Sequence, residues 1–201
     1  PKPAASASPI ELRWNEPLAI GWQMPIQSFD VQVVPATPVR TWIDATDPTR
    51  SYVALEQPQE GAAYQVTVVS AHGQNGMPLL QPQTYQVMVP TRPEPVANGE
   101  LPAVIGQPLA IEWNVPIERL SIEAPEGVSV SWRPDAHDPR ITQLDLSGLA
   151  QGQTYELTIT DAVAKSGAPL VGPTTIALVT APPLAAPKLE TPTRGMLVPL
   201  D

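Results

Sequence analysis

The chain states nearly the same sentence twice. Pro17-Leu18-Ala19-Ile20-Gly21-Trp22-Gln23-Met24-Pro25-Ile26 returns 91 residues later as Pro108-Leu109-Ala110-Ile111-Glu112-Trp113-Asn114-Val115-Pro116-Ile117. The same offset carries Gly61-Ala62-Ala63-Tyr64 onto Gly152-Gln153-Thr154-Tyr155, and Gly76-Met77-Pro78-Leu79 onto Gly167-Ala168-Pro169-Leu170. A period near 90 is too long for a solenoid unit and matches one small domain copied whole. Whatever the first copy folds into, the second must fold into as well.

Proline decides which fold that is. The 27 prolines recur every few residues through the body of the chain, and an interior proline removes a helix hydrogen bond and clashes with the preceding turn. Short strands joined by turns tolerate that spacing. Several windows alternate: Leu18, Ile20 and Trp22 share one face, as do Tyr64, Val66 and Val68. No window carries a sustained apolar stripe at helical period, so the chain reads as all-β.

Seven strand candidates fall in each copy. The first copy gives 10–14, 18–22, 29–34, 39–43, 52–55, 64–70 and 84–89. The second gives 101–105, 109–113, 120–124, 128–132, 141–146, 155–160 and 175–179. That count, with turn residues between, predicts two tandem β-sandwiches. The expected organisation is a flexible lead-in over 1–9, a sandwich over 10–90, a proline-rich linker over 91–100 and a second sandwich over 101–181. Residues 182–201 form a proline-rich tail or open a further unit.

Composition excludes several functions. The net charge is −9, and three Lys and eight Arg are scattered without a patch, which argues against nucleic acid or anionic lipid as partner. There is no cysteine, hence no disulfide, thiolate metal site or cysteine nucleophile. No apolar run is long enough to span a bilayer. The opening Pro1-Lys2-Pro3-Ala4-Ala5-Ser6 has linker composition and reads as an excerpt from a longer precursor.

The second copy resembles the bacterial Ig-like domains of S-layer and other surface proteins. The residues that carry the likeness are Leu149, Gly152 and Tyr155 with the alternating Leu157 and Ile159, then the Asp161…Gly167-Ala168-Pro169-Leu170 hairpin. The first copy keeps Gly61, Tyr64, Val66, Val68, Gly76, Pro78 and Leu79, and is also similar to fibronectin type III domains through Trp22, Pro25 and Leu55. The resemblance implies an exported protein of the cell envelope. It also implies a non-catalytic spacer or interaction module, or the stalk of a cell-wall enzyme such as an L,D-transpeptidase. Cell-wall polysaccharide or another envelope protein is then the expected partner, and the chain is expected to be monomeric.

Tyr64 and Tyr155 have a physical reading of their own. A tyrosine opening the sixth strand can bury its ring and send its hydroxyl back to the corner's backbone, the tyrosine corner of sandwich domains.

No catalytic set and no cofactor site is legible. His72 and His137 occupy different places in the two copies, without metal spacing or a nucleophile motif. The paired carboxylates Asp44 and Asp47, and Asp135 and Asp138, are the calcium candidates. Turn formation accounts for them more simply, because an Asp side chain caps nearby amides and two carboxylates do not fill a calcium shell. Trp22 and Trp113 belong to the core by alternation, whereas Trp42 and Trp132 close strands beside the Asp loops. They are the candidates for stacking on a sugar, against core or edge packing as the plainer role.

Overall fold

The computed structural model describes residues 9–96 and 99–183. The lead-in reading and the tail reading concern segments outside the described residues, apart from Pro9 and residues 182–183.

Among the described residues, fourteen strands and no helix build two sandwiches. The first copy holds β1 (Ile10–Glu11), β2 (Leu18–Gly21), β3 (Ile26–Val34), β4 (Val39–Ile43), β5 (Arg50–Leu55), β6 (Ala63–Gly73) and β7 (Gln83–Met88). The second holds β8 (Glu100–Ala103), β9 (Leu109–Glu112), β10 (Ile117–Glu123), β11 (Ser129–Pro134), β12 (Ile141–Ser147), β13 (Thr154–Ala164) and β14 (Thr174–Thr180). One sheet of the first copy runs β1-β7-β6-β3 and the other β2-β5-β4. The second copy repeats both as β8-β14-β13-β10 and β9-β12-β11. Second, fourth and fifth strands thus form one sheet and third, sixth and seventh the other, an immunoglobulin-like arrangement. The first strand joins the seventh in parallel, at Ile10↔Val87 and at Ala177↔Glu100.

Three elements differ most from the sequence reading, the first of them the opening strands, which end at Glu11 and Ala103 and leave Trp14 and Ile105 beyond the strands. The third strands begin earlier, at Ile26 and Ile117, and the sixth strands run on to Gly73 and Ala164. The register of β3 on β6 shifts twice, as does that of β10 on β13. Each extra residue flips the following side chains to the other face, so the alternation that marks a strand is interrupted.

The cores are copies down to their polar members. Trp22 Nε1 donates to Ser51 Oγ at 2.9 Å, and Trp113 Nε1 donates to Thr142 Oγ1 at 3.0 Å. All four side chains are buried, and 91 residues separate each member from its counterpart. A buried indole N–H must find an acceptor. Val53, Val66, Val68 and Val87 pack in the first core, and Leu144, Leu157, Ile159, Ile176 and Leu178 in the second.

The tyrosine corner is present twice. Gln59 N donates to the Tyr64 hydroxyl at 2.9 Å, and Ala150 N donates to the Tyr155 hydroxyl at 2.8 Å. Tyr155→Phe removes the acceptor and is expected to cost the second domain about 1 kcal/mol, read as a lower second transition in calorimetry. An unchanged melt would leave the hydroxyl without a stabilising role.

Candidate functional site

The acidic loops sit at the same place in both domains, between the fourth and fifth strands. Asp44 Oδ1 accepts from Thr46 N at 2.8 Å, Thr46 Oγ1 at 2.7 Å and Asp47 N at 3.2 Å. Asp135 Oδ1 accepts from His137 N at 2.8 Å and Asp138 N at 3.2 Å. The second carboxylate of each loop caps in turn, Asp47 on Thr49 N and Asp138 on Arg140 N. The Thr46 hydroxyl, then its amide, hold the Asp44 carboxyl below the ordinary range. The His137 amide and the Gln143 side chain do the same for Asp135, and the Arg140 side chain for Asp138. The Oδ1 atoms of Asp44 and Asp135 cap the turn itself, while their Oδ2 atoms accept from Tyr52 and Gln143 on the following strands. Among the described residues no group of three or more His, Cys, Asp or Glu is placed to hold a metal ion.

The two tryptophans beside these loops are not equivalents. Trp42 stands two residues before Asp44, but Trp132 stands three before Asp135. A slip of one residue along a strand changes the face. Trp132 accordingly packs against the second core, while Trp42 lies on the outer face of β4 and is 37% exposed. The position in register with Trp42 is Arg133, paired opposite Gln143 as Trp42 is paired opposite Tyr52. Trp42 stacks on Tyr52 with ring centroids 5.3 Å apart and 24° between planes. The Arg40 guanidinium lies 5.3 Å from the Trp42 centroid. Tyr52 and Arg40 thus flank the partly exposed indole.

A further set of specific contacts ties residues 92–96 to the second domain. Residues 93–96 run antiparallel along the free edge of β9, with Pro95 opposite Trp113. Val96 N donates to Glu112 O at 2.8 Å and Asn114 N to Glu94 O at 3.0 Å. The Asn114 side chain closes the set. Its Oδ1 accepts from Glu94 N at 2.8 Å, and its Nδ2 donates to Arg92 O at 2.9 Å. Glu94 and Val96 supply the inward N–H groups, and the prolines sit between them. A Pro-x-Pro segment can therefore add one strand to a sheet while offering no donor to the next.

The first domain makes its own contact. Trp14 N, just past β1, donates to Ser166 O in the β13 hairpin at 2.8 Å. A Cβ built on Gly167 would stand 3.7 Å from Trp14 Cβ, ordinary van der Waals contact. Arg92 lies over the other part of this joint, with its guanidinium 4.8 Å from the Trp14 centroid and its Nε 2.8 Å from Glu60 Oε1. A cleft of about 350 Å³ between the domains is lined by Leu12, Met88, Pro90, Val115, Pro116 and Lys165. A second, of about 440 Å³, opens on Arg13, Trp14, Arg40, Glu56, Glu60 and Arg92. Sequence reasoning missed Asn114, Trp14 and the Arg92–Glu60 pair. The one available signal was that Trp14 has Ile105 as its counterpart and Arg92 has Pro183, differences that appear where a copy meets a new neighbour.

Fold and joint together define the class: a tandem of two immunoglobulin-like sandwiches with an ordered junction. No family model matches the chain, and no curated protein matches it. Among solved structures it is similar to the I9–I11 tandem of titin, at 8% identity over 90% of this chain and 65% of that one, with a TM-score of 0.36. A titin fragment I67–I69 gives 10% identity, 86% and 62% coverage and a TM-score of 0.38. The fibronectin(III)-like modules of Clostridium thermocellum CbhA give 13%, 90% and 94%, with 0.27. The chain spans less than two thirds of either titin fragment. The assignment of fold rests on the strand order of the two sandwiches.

Proposed function

We propose that the chain is a non-catalytic spacer of an exported bacterial envelope protein, a stiff strut that fixes the distance between the parts joined to its two ends. The observation that supports this is the ordered junction. A flexible linker of this length would let the domains tumble, whereas residues 92–96 are tied to Asn114 and Glu112, and Trp14 to Ser166. Holding the catalytic domain of a cell-wall enzyme away from a membrane is one use of such a strut. Among the described residues no helix is long and apolar enough to cross a membrane. An adhesive module stacking sugars on Trp42 and Trp132 is the weaker reading, since one ring is flanked by Arg40 and Tyr52 and the other faces the core.

Stiffness is directly measurable. Spin labels on Gln65→Cys and Glu156→Cys, two exposed and equivalent sites in the two domains, report the interdomain distance in a chain free of native cysteine. We expect one narrow distribution, and a clearly broader one after Trp14→Ala with Asn114→Ala. Equal and broad distributions in both would sink the strut.

A further inference from the structure

We propose that the chain associates end to end with a second copy of itself, the foot of one second domain seating on the crown of another first domain. The intrachain joint brings together two surfaces: the foot of the first domain, at Trp14, and the crown of the second, the hairpin Ser166-Gly167-Ala168. Because the domains are copies, each surface has a counterpart at the opposite end of the chain that is exposed among the described residues. The foot of the second domain is Val104-Ile105-Gly106, and the crown of the first is Asn75-Gly76-Met77.

Each of these surfaces carries exposed apolar side chains, Val104 and Ile105 on the foot and Met77 on the crown. Val104 is 58% exposed and Ile105 46%, while Met77 is 57% exposed and its counterpart Ala168 is 0%. The sizes are exchanged in a compensating way. At the joint a large Trp14 meets a small hairpin, Ser-Gly-Ala. At the free ends a smaller Ile105 would meet a bulkier hairpin, Asn-Gly-Met. Volume-conserving exchanges of this kind are the ones that packing tolerates.

Backbone and charge agree with the fit. The foot turns keep their left-handed corner, Asn15 at φ 60° and Gly106 at φ 80°, and so do the crowns, Gly76 at φ 78° and Gly167 at φ 84°. The hydrogen bond from Trp14 N to Ser166 O has its counterpart in Ile105 N and Asn75 O, and needs no particular side chain. The cleft at the joint is lined by Glu11 and Lys165, whose counterparts are the uncharged Pro102 and Gln74. No charge is therefore buried unpaired when the ends meet. Residues 93–96 are held on their own β9, so this contact rests on foot and crown alone and is concentration-dependent. The contact is heterologous, so each copy added to a growing chain presents the same two ends again.

The absence of native cysteine makes the test clean. Gly76→Cys and Ile105→Cys stand where the joint places its Cβ atoms 3.7 Å apart, within disulfide reach. The two single variants are mixed under mild oxidation. The mixed disulfide is expected to exceed either homodisulfide by about tenfold, and a chain carrying both cysteines is expected to give a ladder of multimers. A statistical mixture without a ladder overturns the proposal. Sedimentation of the unmodified chain provides the second measurement. Its average mass is expected to rise toward about 1 mM and to stay monomeric in Ile105→Asp, a solvent-exposed change whose melt should match the parent. A mass independent of concentration overturns the proposal and leaves the two faces to a different partner.

Discussion

Gly148→Ala is expected to unfold the second domain at temperatures where the first remains intact. Gly148 follows β12 with φ at +85°, and a Cβ built on it would stand 2.0 Å from the carbonyl oxygen of Gly127. That atom is backbone and cannot rotate aside. A left-handed alanine costs about 1–2 kcal/mol, and forcing the strands apart adds about 1–3 kcal/mol. Roughly 4 kcal/mol stands against a total of roughly 4–13 kcal/mol for a domain of this size. Calorimetry should show the second transition lowered by roughly 15–30 °C, with the first unmoved. The first domain supplies the control: its counterpart is Gln57, a side chain already accommodated at φ 61°. Gln57→Ala should therefore be nearly silent. A Gly148→Ala chain with two unshifted transitions would show that the Gly127–Gly148 approach is not obligatory.

Trp113→Ala should have an effect of similar size by another route. Trp113 is fully buried at the centre of the second core. Truncating it forfeits the transfer energy of the ring and leaves a cavity, together about 3–5 kcal/mol. It also leaves the Thr142 hydroxyl without its donor. Trp113→Phe with Thr142→Val separates the two contributions, because it removes both polar partners while keeping most of the ring. Exchanging a buried pair for apolar groups of similar shape is close to neutral. The double variant should accordingly recover much of the stability that Trp113→Ala loses. If it melts as low as Trp113→Ala, packing alone is an inadequate account of this core.

The sequence disclosed the fold where alternation was clean and hid it where pairing was irregular. Leu18-Ala19-Ile20 and Leu109-Ala110-Ile111 announce strands by period alone. The third strands were half concealed because their register on the sixth strands shifts twice in each domain. Ser51 and Thr142 gave no sign of their importance, since a hydroxyl on a strand is expected to face water until an indole N–H is known to face it. Trp42 and Trp132 looked alike because both precede an Asp loop, and one residue of slip in the repeat put them on opposite faces. The junction was the least legible part. Pro93-Glu94-Pro95 has the composition of an extended tether, and its pairing depends on Asn114, twenty residues away in sequence.

That paired segment also determines how the chain answers to a pull. Residues 94–96 lie antiparallel to β9, so tension that enters through Thr91 acts along the strand and across the bonds to Glu112 and Asn114. Bonds loaded this way share the force and fail together, where bonds loaded at one end open in succession. The junction would therefore hold its length up to a threshold and then yield abruptly, releasing a few residues of slack while both sandwiches stay folded. A junction built like this carries its own fuse.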